Sequence, residues 1–154
     1  EIAGGGFTEY NRVVKANVYA YWISLGCNHC QDPLCVKNCP SGAMQKRETD
    51  GIVYVDVDKC IGCRYCVWSC PYEAPQYNPE KGKVGKCDFC MDLLAKGEQP
   101  ACVAACPMRV LDFGSLKELE KKYGGTNEIK GLPKANITKP SLLINPHRDS
   151  MLSK

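Results

Sequence analysis

Residues 60–71 read CIGCRYCVWSCP, which places four cysteines within eleven residues and follows the last of them with a proline. Thiols this close together occur in redox pairs, zinc sites, disulfide frameworks and iron–sulfur ligand sets. Similar arrangements occur three times in the 154-residue chain and together contain all twelve of its cysteines. The first set is Cys27, Cys30, Cys35 and Cys39; the second set is Cys60, Cys63, Cys66 and Cys70; the third set is Cys87, Cys90, Cys102 and Cys106.

The recurring ending of the sets indicates iron–sulfur chemistry. Each set opens with C-x2-C and closes with C-x3-C-P, and a disulfide framework gives no reason for that ending to recur. The second set has the C-x2-C-x2-C-x3-C-P spacing of bacterial ferredoxins, in which three cysteines hold one cluster and the fourth binds its neighbour. Because proline cannot extend a helix and disfavours helical geometry in the residue before it, we expect it to turn the chain away from the cluster.

Two alternatives stay open on these patterns. Eleven residues separate Cys90 from Cys102, which also suits a two-pair zinc site and hence a zinc-stabilised binding module. A free ferredoxin is the other alternative, although it has no need of the long segment after residue 130. His29 lies between Cys27 and Cys30, and we expect it to be a packed or hydrogen-bonding imidazole, because its set already has four thiols.

The composition disfavours several other classes of function. The formal net charge is only +3, with lysines and arginines scattered along the sequence, which does not favour nucleic-acid binding. No apolar run approaches the length of a transmembrane helix. The sequence offers no nucleophile–base pair, phosphate loop or open metal site, so we expect a non-catalytic electron-transfer protein.

Turn-forming residues predict two β-hairpins. AMQKR and IVYVDV flank a turn at 48–51, and APQYN and KVGK flank a turn at 79–82. Turns containing Asp, Pro and Gly between such runs are typical of hairpins. A further strand is predicted at 17–25, where β-branched and aromatic residues lead into the first set.

Capping signals predict short helices beside the cysteines. Asp32 and Pro33 are the predicted N-cap and first residue of the first helix. Asp88, Pro100 and Ser115 mark the predicted starts of the others, with the helix from Asp88 running to about Lys96. Ser115 and Glu118 form a capping box, and the glycines at 124–125 end that helix. Residues from 131 onward are rich in proline and lack a helical period, so we expect an extended arm that is ordered only against something else. The predicted fold class is therefore α+β.

Several stretches resemble a known family. They are NVYAYW (17–22), CNHCQDPLCVKNCPSGAMQKRE (27–48), CIGCRYCVWSCPYEAPQYNPEKG (60–82), KCDFC (86–90), LDFG (111–114) and GLPKANITKPS (131–141). Together they resemble the iron–sulfur (B) subunits of dimethyl sulfoxide reductases, which are polyferredoxin partners of molybdopterin oxidoreductases. The resemblance covers residues 1–148 or so.

The resemblance implies ferredoxin-like modules in which short helices and β-hairpins wrap around [4Fe–4S] clusters. It implies a relay of electrons between a quinol-oxidising membrane anchor and a molybdopterin-containing catalytic subunit, with the protein held at the membrane through a partner, on the periplasmic or exoplasmic face. It also implies crosswise ligand sets. Cys27, Cys30 and Cys35 would hold one cluster with Cys70, and Cys60, Cys63 and Cys66 a second with Cys39. Cys87, Cys90 and Cys102 would bind a third cluster, and Cys106 a fourth.

One departure from the family affects the expected organisation. The family has four cysteine sets and this sequence has three. Either the family's first set lies before Glu1, which we expect, or the third set has been reassigned. The expected parts are an N-terminal strand region of a truncated first module at 1–26, a ferredoxin-like module with two [4Fe–4S] clusters at 27–86, the remaining part of the first cluster module at 87–114, a helix at 115–130, and an extended partner-binding arm at 131–154.

Overall fold

The computed structural model describes residue 23, residues 25–147 and residue 150. The strand predicted at 17–25 lies almost wholly outside these residues. In order along the sequence, the described elements are α1 (Leu34–Lys37), β1 (Met44–Lys46), β2 (Val53–Val55), α2 (Tyr65–Ser69), β3 (Gln76–Asn78), β4 (Lys83–Gly85), α3 (Met91–Leu94), α4 (Ala101–Ala105), α5 (Leu116–Tyr123) and a 3-10 turn (Ala135–Ile137). Short helices alternate with hairpins, which confirms the predicted α+β class.

Both predicted hairpins are present. Strands β1 and β2 are antiparallel with Gln45 opposite Tyr54, and β3 and β4 are antiparallel with Tyr77 opposite Val84. The Tyr54 hydroxyl donates to Gln45 Oε1 at 2.6 Å, which fixes the register of the first pair. Each hairpin follows one cysteine set and precedes the next, so it brings successive sets back to the same region.

The helices begin slightly later than predicted. Pro33 is the N-cap of α1 and not its first residue, and Asp32 pairs with Lys37 at 2.5 Å instead of capping. Helix α3 begins only after Cys90, because Phe89 and Cys90 have φ of 62° and 50°, which a right-handed helix cannot include. The predicted cap of α5 is confirmed, since Ser115 Oγ accepts from the Glu118 N–H at 3.3 Å.

A repeated tight turn explains the proline after each set. The carbonyls of the last cysteines, Cys39, Cys70 and Cys106, accept N–H bonds at 3.3, 3.2 and 3.3 Å from the residues three positions later. Those residues are Gly42, Glu73 and Arg109, with φ of 65°, 54° and 53°. Proline fits the second position of such a turn because its ring fixes φ near the value required there. The turn reverses the backbone directly behind the last thiol of each set.

The core lies between the hairpins and the first two sets. Its buried members are Ala43, Met44, Val53, Cys60, Cys66 and Val84. Since two of the six are cysteines, apolar packing and the thiols occupy the same interior. The hairpins therefore position the cysteines as well as supply the apolar surface.

The C-terminal segment, defined as residues 131–147, packs on the first set. The N–H groups of Gln31 and Asp32 donate to the carbonyls of Lys139 and Thr138 at 2.8 and 3.0 Å, and the Ser141 N–H donates to Asn28 O at 3.0 Å. The segment is extended apart from its 3-10 turn, as expected. It is not, however, ordered only by something else, because its backbone donors and acceptors pair with the protein's own loop at 28–32.

Candidate iron–sulfur site

Four cysteines from the first two sets affect one another electrostatically. Burial, and then the neighbouring thiolates of Cys27 and Cys70, raise the pKa of Cys35 to about 12. The pKa of Cys30 is raised by burial and by the same two neighbours. These effects act between neighbouring thiols, so the four sulfurs lie within range of one another's charge. The last cysteine of the second set is thus brought to the first three of the first set.

The reciprocal group forms on the other side of the core. One cavity is lined by Cys39, Cys60, Cys63 and Cys66, and its apolar wall includes Met44 and Val84. Burial, and then the Cys39 and Cys63 thiolates, raise the pKa of Cys66. Cys60 and Cys66 are buried and Cys39 and Cys63 are half-buried, and four thiols around an apolar pocket fit the donor set of a [4Fe–4S] cluster.

The last cysteine of a set is surrounded by donors. The Met44 N–H donates to Cys39 Sγ at 3.3 Å, and the Ser41 hydroxyl lies 3.7 Å from the same sulfur. Although burial raises the pKa of Cys39, these hydrogen bonds outweigh it and the net pKa is lowered. In the third set, N–H groups led by that of Val110 lower the pKa of Cys106. The residues that follow Cys39 and Cys106 therefore favour the thiolate that a cluster needs.

The first C-x2-C of each set has the same backbone shape. The residue before its second cysteine has a positive φ in all three cases: 41° at His29, 71° at Gly62 and 62° at Phe89. At Gly62 a Cβ atom would lie 2.3 Å from the carbonyl oxygen of Gly82. Only glycine fits there, because the second hairpin turn approaches the cysteine loop so closely.

His29 is a structural imidazole, as predicted. Its Nδ1 accepts the Val53 N–H at 3.0 Å, and its ring meets Phe89 edge-on with centroids 5.1 Å apart. Burial, and then the positive charge of Lys86, lower its pKa to about 4. The neutral ring, which lies in the first set, thus contacts β2 through Val53 and the third set through Phe89.

Three lysines, for which the sequence pattern predicted no such role, tie the hairpins to the cysteine loops. The ammonium of Lys46 donates to the carbonyls of Cys30 and Gln31 at 3.1 and 2.7 Å, and that of Lys83 donates to Cys60 O at 2.5 Å. The Lys86 ammonium bridges Val53 O and Cys87 O. Each contact places a positive charge beside a cysteine loop. The sequence could have indicated this role, because the three lysines lie in or next to the strands that adjoin the cysteine sets.

The third set is more open. Cys87 and Cys102 are exposed, while Cys90 and Cys106 are half-buried. Burial raises the pKa of Cys87 despite a hydrogen bond from the Phe89 N–H, and the Cys27 thiolate adds to the rise. Across the residues that the structure describes, no three His, Cys, Asp or Glu side chains are grouped to hold a single metal ion. In a cubane each thiolate binds a different iron, so its ligands stand farther apart than those of one ion.

Within the same described ranges, no helix is long and apolar enough to cross a membrane.

Comparisons with known proteins agree with this site. The 4Fe-4S dicluster domain family matches residues 18–116. The sequence is 55% identical over 150 residues to the B subunit of the anaerobic dimethyl sulfoxide reductase of Escherichia coli, covering 97% of this protein and 73% of that one. It is 44% identical over 117 residues to the thiosulfate reductase electron transfer subunit of Salmonella typhi, covering 75% and 60%. It is 38% identical over 139 residues to the formate dehydrogenase-O iron–sulfur subunit of Escherichia coli, covering 87% and 46%.

The dicluster family model matches more than half of the sequence, and the Escherichia coli B subunit aligns with nearly all of it. This protein therefore belongs to the 4Fe-4S dicluster family, among the iron–sulfur electron-transfer subunits of the dimethyl sulfoxide reductase type.

Proposed function

We propose that this protein relays electrons through [4Fe–4S] clusters from a quinol-oxidising membrane anchor to a molybdopterin-containing catalytic subunit. The observation that carries the proposal is the crosswise meeting of the first two sets, with Cys70 beside Cys30 and Cys35, and Cys39 lining a cavity with Cys66. Two clusters that exchange a ligand are held close together, which suits a relay.

The proposed ligand sets follow from these groups. Cys27, Cys30, Cys35 and Cys70 hold the first cluster, and Cys39, Cys60, Cys63 and Cys66 hold the second. When bound, the clusters accept and release single electrons, and the protein sets their potentials by burial, hydrogen bonds to sulfur and charge. The protein's own residues provide the thiolates, the apolar wall and the lysine charges.

The third set provides ligands to two further clusters. Cys87, Cys90 and Cys102 are ligands of a third cluster and Cys106 is a ligand of a fourth. The remaining ligands come from outside the twelve cysteines, as the crosswise exchange requires. Residues 1–154, reconstituted by themselves, are therefore expected to hold about eight irons firmly.

The protein works in a complex at the membrane. The protein associates with the membrane through its anchor partner, on the periplasmic or exoplasmic face, and residues 131–154 contribute to partner contacts. The half-exposed Ile137 in the C-terminal segment, at 45%, is consistent with such a contact. The relatives' names, dimethyl sulfoxide and thiosulfate reductase, support an oxidoreductase partner.

Paired cysteine variants test the ligand sets. Cys70→Ser and Cys30→Ser each remove a ligand of the first cluster, so the double variant should lose no more iron than either single one. Cys70→Ser with Cys66→Ser should lose two clusters. Iron analysis and electron paramagnetic resonance (EPR) of anaerobically purified protein measure the losses, with Ser69→Ala as the neighbouring control.

Two results would overturn these assignments. Equal loss in the Cys70/Cys66 double and single variants would show that each set closes on its own cluster. A stable count near twelve irons that depends on Cys106, or one zinc beside eight irons, would overturn the role given to the third set.

A further inference from the structure

Two buried hydroxyl groups lie beside the first cysteine group and have no role in the site described above. Tyr72 follows Cys70 by two residues in the tight turn after the proline. Thr138 lies in the C-terminal segment and is only 1% exposed. Its backbone carbonyl accepts the Asp32 N–H at 3.0 Å, which fixes it against the loop of the first set.

Neither hydroxyl makes a hydrogen bond among the described residues, although both oxygen atoms are buried. Burying a hydroxyl without a partner costs free energy, so native proteins seldom leave one unsatisfied. Such an orphaned donor next to a group of thiols indicates that sulfur is its intended acceptor.

The backbone places both hydroxyls beside the loops that carry those thiols: Thr138 O accepts from the N–H of Asp32, two residues after Cys30, and Tyr72 follows Cys70 by two residues. Burial raises the pKa of Cys30, and the Thr138 hydroxyl lowers it. Burial raises the pKa of Tyr72, the Thr138 hydroxyl lowers it, and the thiolates of Cys30 and Cys70 raise it. The two hydroxyls therefore lie near each other and near the sulfurs of Cys30 and Cys70.

We propose that the Tyr72 and Thr138 hydroxyls form a donor pair to the sulfur atoms of the first cluster and raise its reduction potential. The inference rests on the proposed ligand set of that cluster. Reduction adds one electron and breaks no bond, and the added charge is spread partly over the sulfurs. A hydrogen bond to sulfur is stronger in the reduced state and so favours it. The C-terminal segment thus contributes to the electronic properties of the site as well as to its packing.

Redox titration of the cluster-loaded full chain tests the inference, with dithionite as the reductant and EPR as the readout. Tyr72→Phe and Thr138→Val should each lower the ratio of reduced to oxidised first cluster at fixed potential about tenfold, which corresponds to about 59 mV for one electron. Thr138→Ser keeps the hydroxyl and should restore the potential. Tyr54→Phe, whose hydroxyl bonds Gln45 on the first hairpin, should change no potential.

A second readout distinguishes hydrogen bonding from packing. Pulsed EPR of the reduced first cluster in H2O and D2O should show exchangeable proton couplings that Tyr72→Phe and Thr138→Val diminish. Unchanged potentials and couplings in both variants would overturn the inference. If Thr138→Val loses the cluster, Tyr72→Phe decides alone, since it removes one oxygen atom.

The ligand assignment has its own check in the same experiment. Cys30→Ser and Cys70→Ser should alter the EPR signal that the hydroxyl variants shift. If the two cysteine variants alter different signals, the proposed ligand set fails. If they alter one signal that the hydroxyl variants do not shift, the donor pair alone fails.

Discussion

At the scale of single residues, Gly62 shows how closely the cysteine loops are packed. It has a φ of 71°, and the space for its missing Cβ is taken by the backbone of Gly82. Gly42 also has a positive φ, of 65°, but nothing lies within 4 Å of where its Cβ would be. A side chain at Gly42 would therefore meet backbone strain alone, whereas a side chain at Gly62 would meet both strain and steric overlap.

Gly62→Ala should therefore disrupt the second cluster far more than Gly42→Ala. Both variants incur roughly 1 kcal/mol of left-handed strain, and Gly62→Ala adds an overlap that costs about 1–3 kcal/mol. The retention of iron by the second cluster during incubation with a chelator, followed by visible absorbance, measures the difference. Equal retention in the two variants would mean that the hairpin turn moves aside freely.

At the scale of elements, lysines on the hairpins secure the cysteine loops. Lys83, at the start of β4, donates to Cys60 O at 2.5 Å. A hydrogen bond from a charged group contributes about 1.5–3 kcal/mol. The hairpins are too short to be stable alone, so these contacts connect them to the sets.

Lys83→Met should speed the loss of iron from the second cluster about tenfold or more and leave the first cluster unaffected. Lys81→Met on the exposed turn of the same hairpin is the matched control. Time-resolved chelation with EPR identification of the remaining cluster provides the measurement. A loss that is equally fast in the Lys81 variant would refute a specific role for the Lys83 contact.

Helix α5 is held by a polar contact at its C-terminal end. Asp112 Oδ2 accepts from the Tyr123 hydroxyl at 2.6 Å and from the Lys122 ammonium at 2.9 Å. These two hydrogen bonds, with that of Tyr123 the larger effect, lower the pKa of Asp112 from 3.8 to about 2. A lowered carboxyl pKa stabilises the folded state above 3.8, and the contribution is lost as the pH falls towards 2.

Asp112→Ala should accordingly raise amide hydrogen exchange in α5 at neutral pH. The difference from the parent protein should stay constant down to about pH 5 and shrink as the pH falls through the interval from 3.8 to 2. Exchange measured by mass spectrometry on peptides covering α5 tests this, with the Glu120→Ala variant as a control on the same helix. A difference that is independent of pH across the interval would contradict the lowered pKa.

At the scale of the whole molecule, the C-terminal segment joins parts of the protein that are far apart in sequence. Its Thr138, Lys139 and Ser141 pair with backbone groups at 28–32. Thr126 and Ile144 form an additional antiparallel bridge that anchors the segment behind α5. The segment thereby covers the loop of the first cysteine set.

Deleting residues 131–154 should therefore release the first cluster while the second survives. The deletion removes the three backbone hydrogen bonds to residues 28–32 and the buried Thr138, whereas the second group's cavity includes no residue of that segment. Iron content and EPR measure the loss, and deletion of only 148–154 is the control. Retention of both clusters in the longer deletion would show that the segment serves partner binding alone.

The sequence by itself determined the chemistry and the local elements. Cysteine spacing predicted the iron–sulfur sets, the turn residues predicted both hairpins, and Ser115 with Glu118 predicted the start of α5. These features depend on residues only a few positions apart, so local geometry is enough to specify them. The positions at which α1 and α3 begin were less predictable, because they depend on backbone torsions imposed by the cysteine loops.

Only the tertiary structure decided which distant groups share the site. Lys83 reaches Cys60, Val53 bonds His29, and Thr138 lies beside Cys30. No periodicity or spacing connects such residues, because their proximity depends on the path of the whole polypeptide. Their polar atoms could have been satisfied by water in another fold. Buried polar atoms cannot bond to water, so in this fold they bond to one another, and these hydrogen bonds become part of the site.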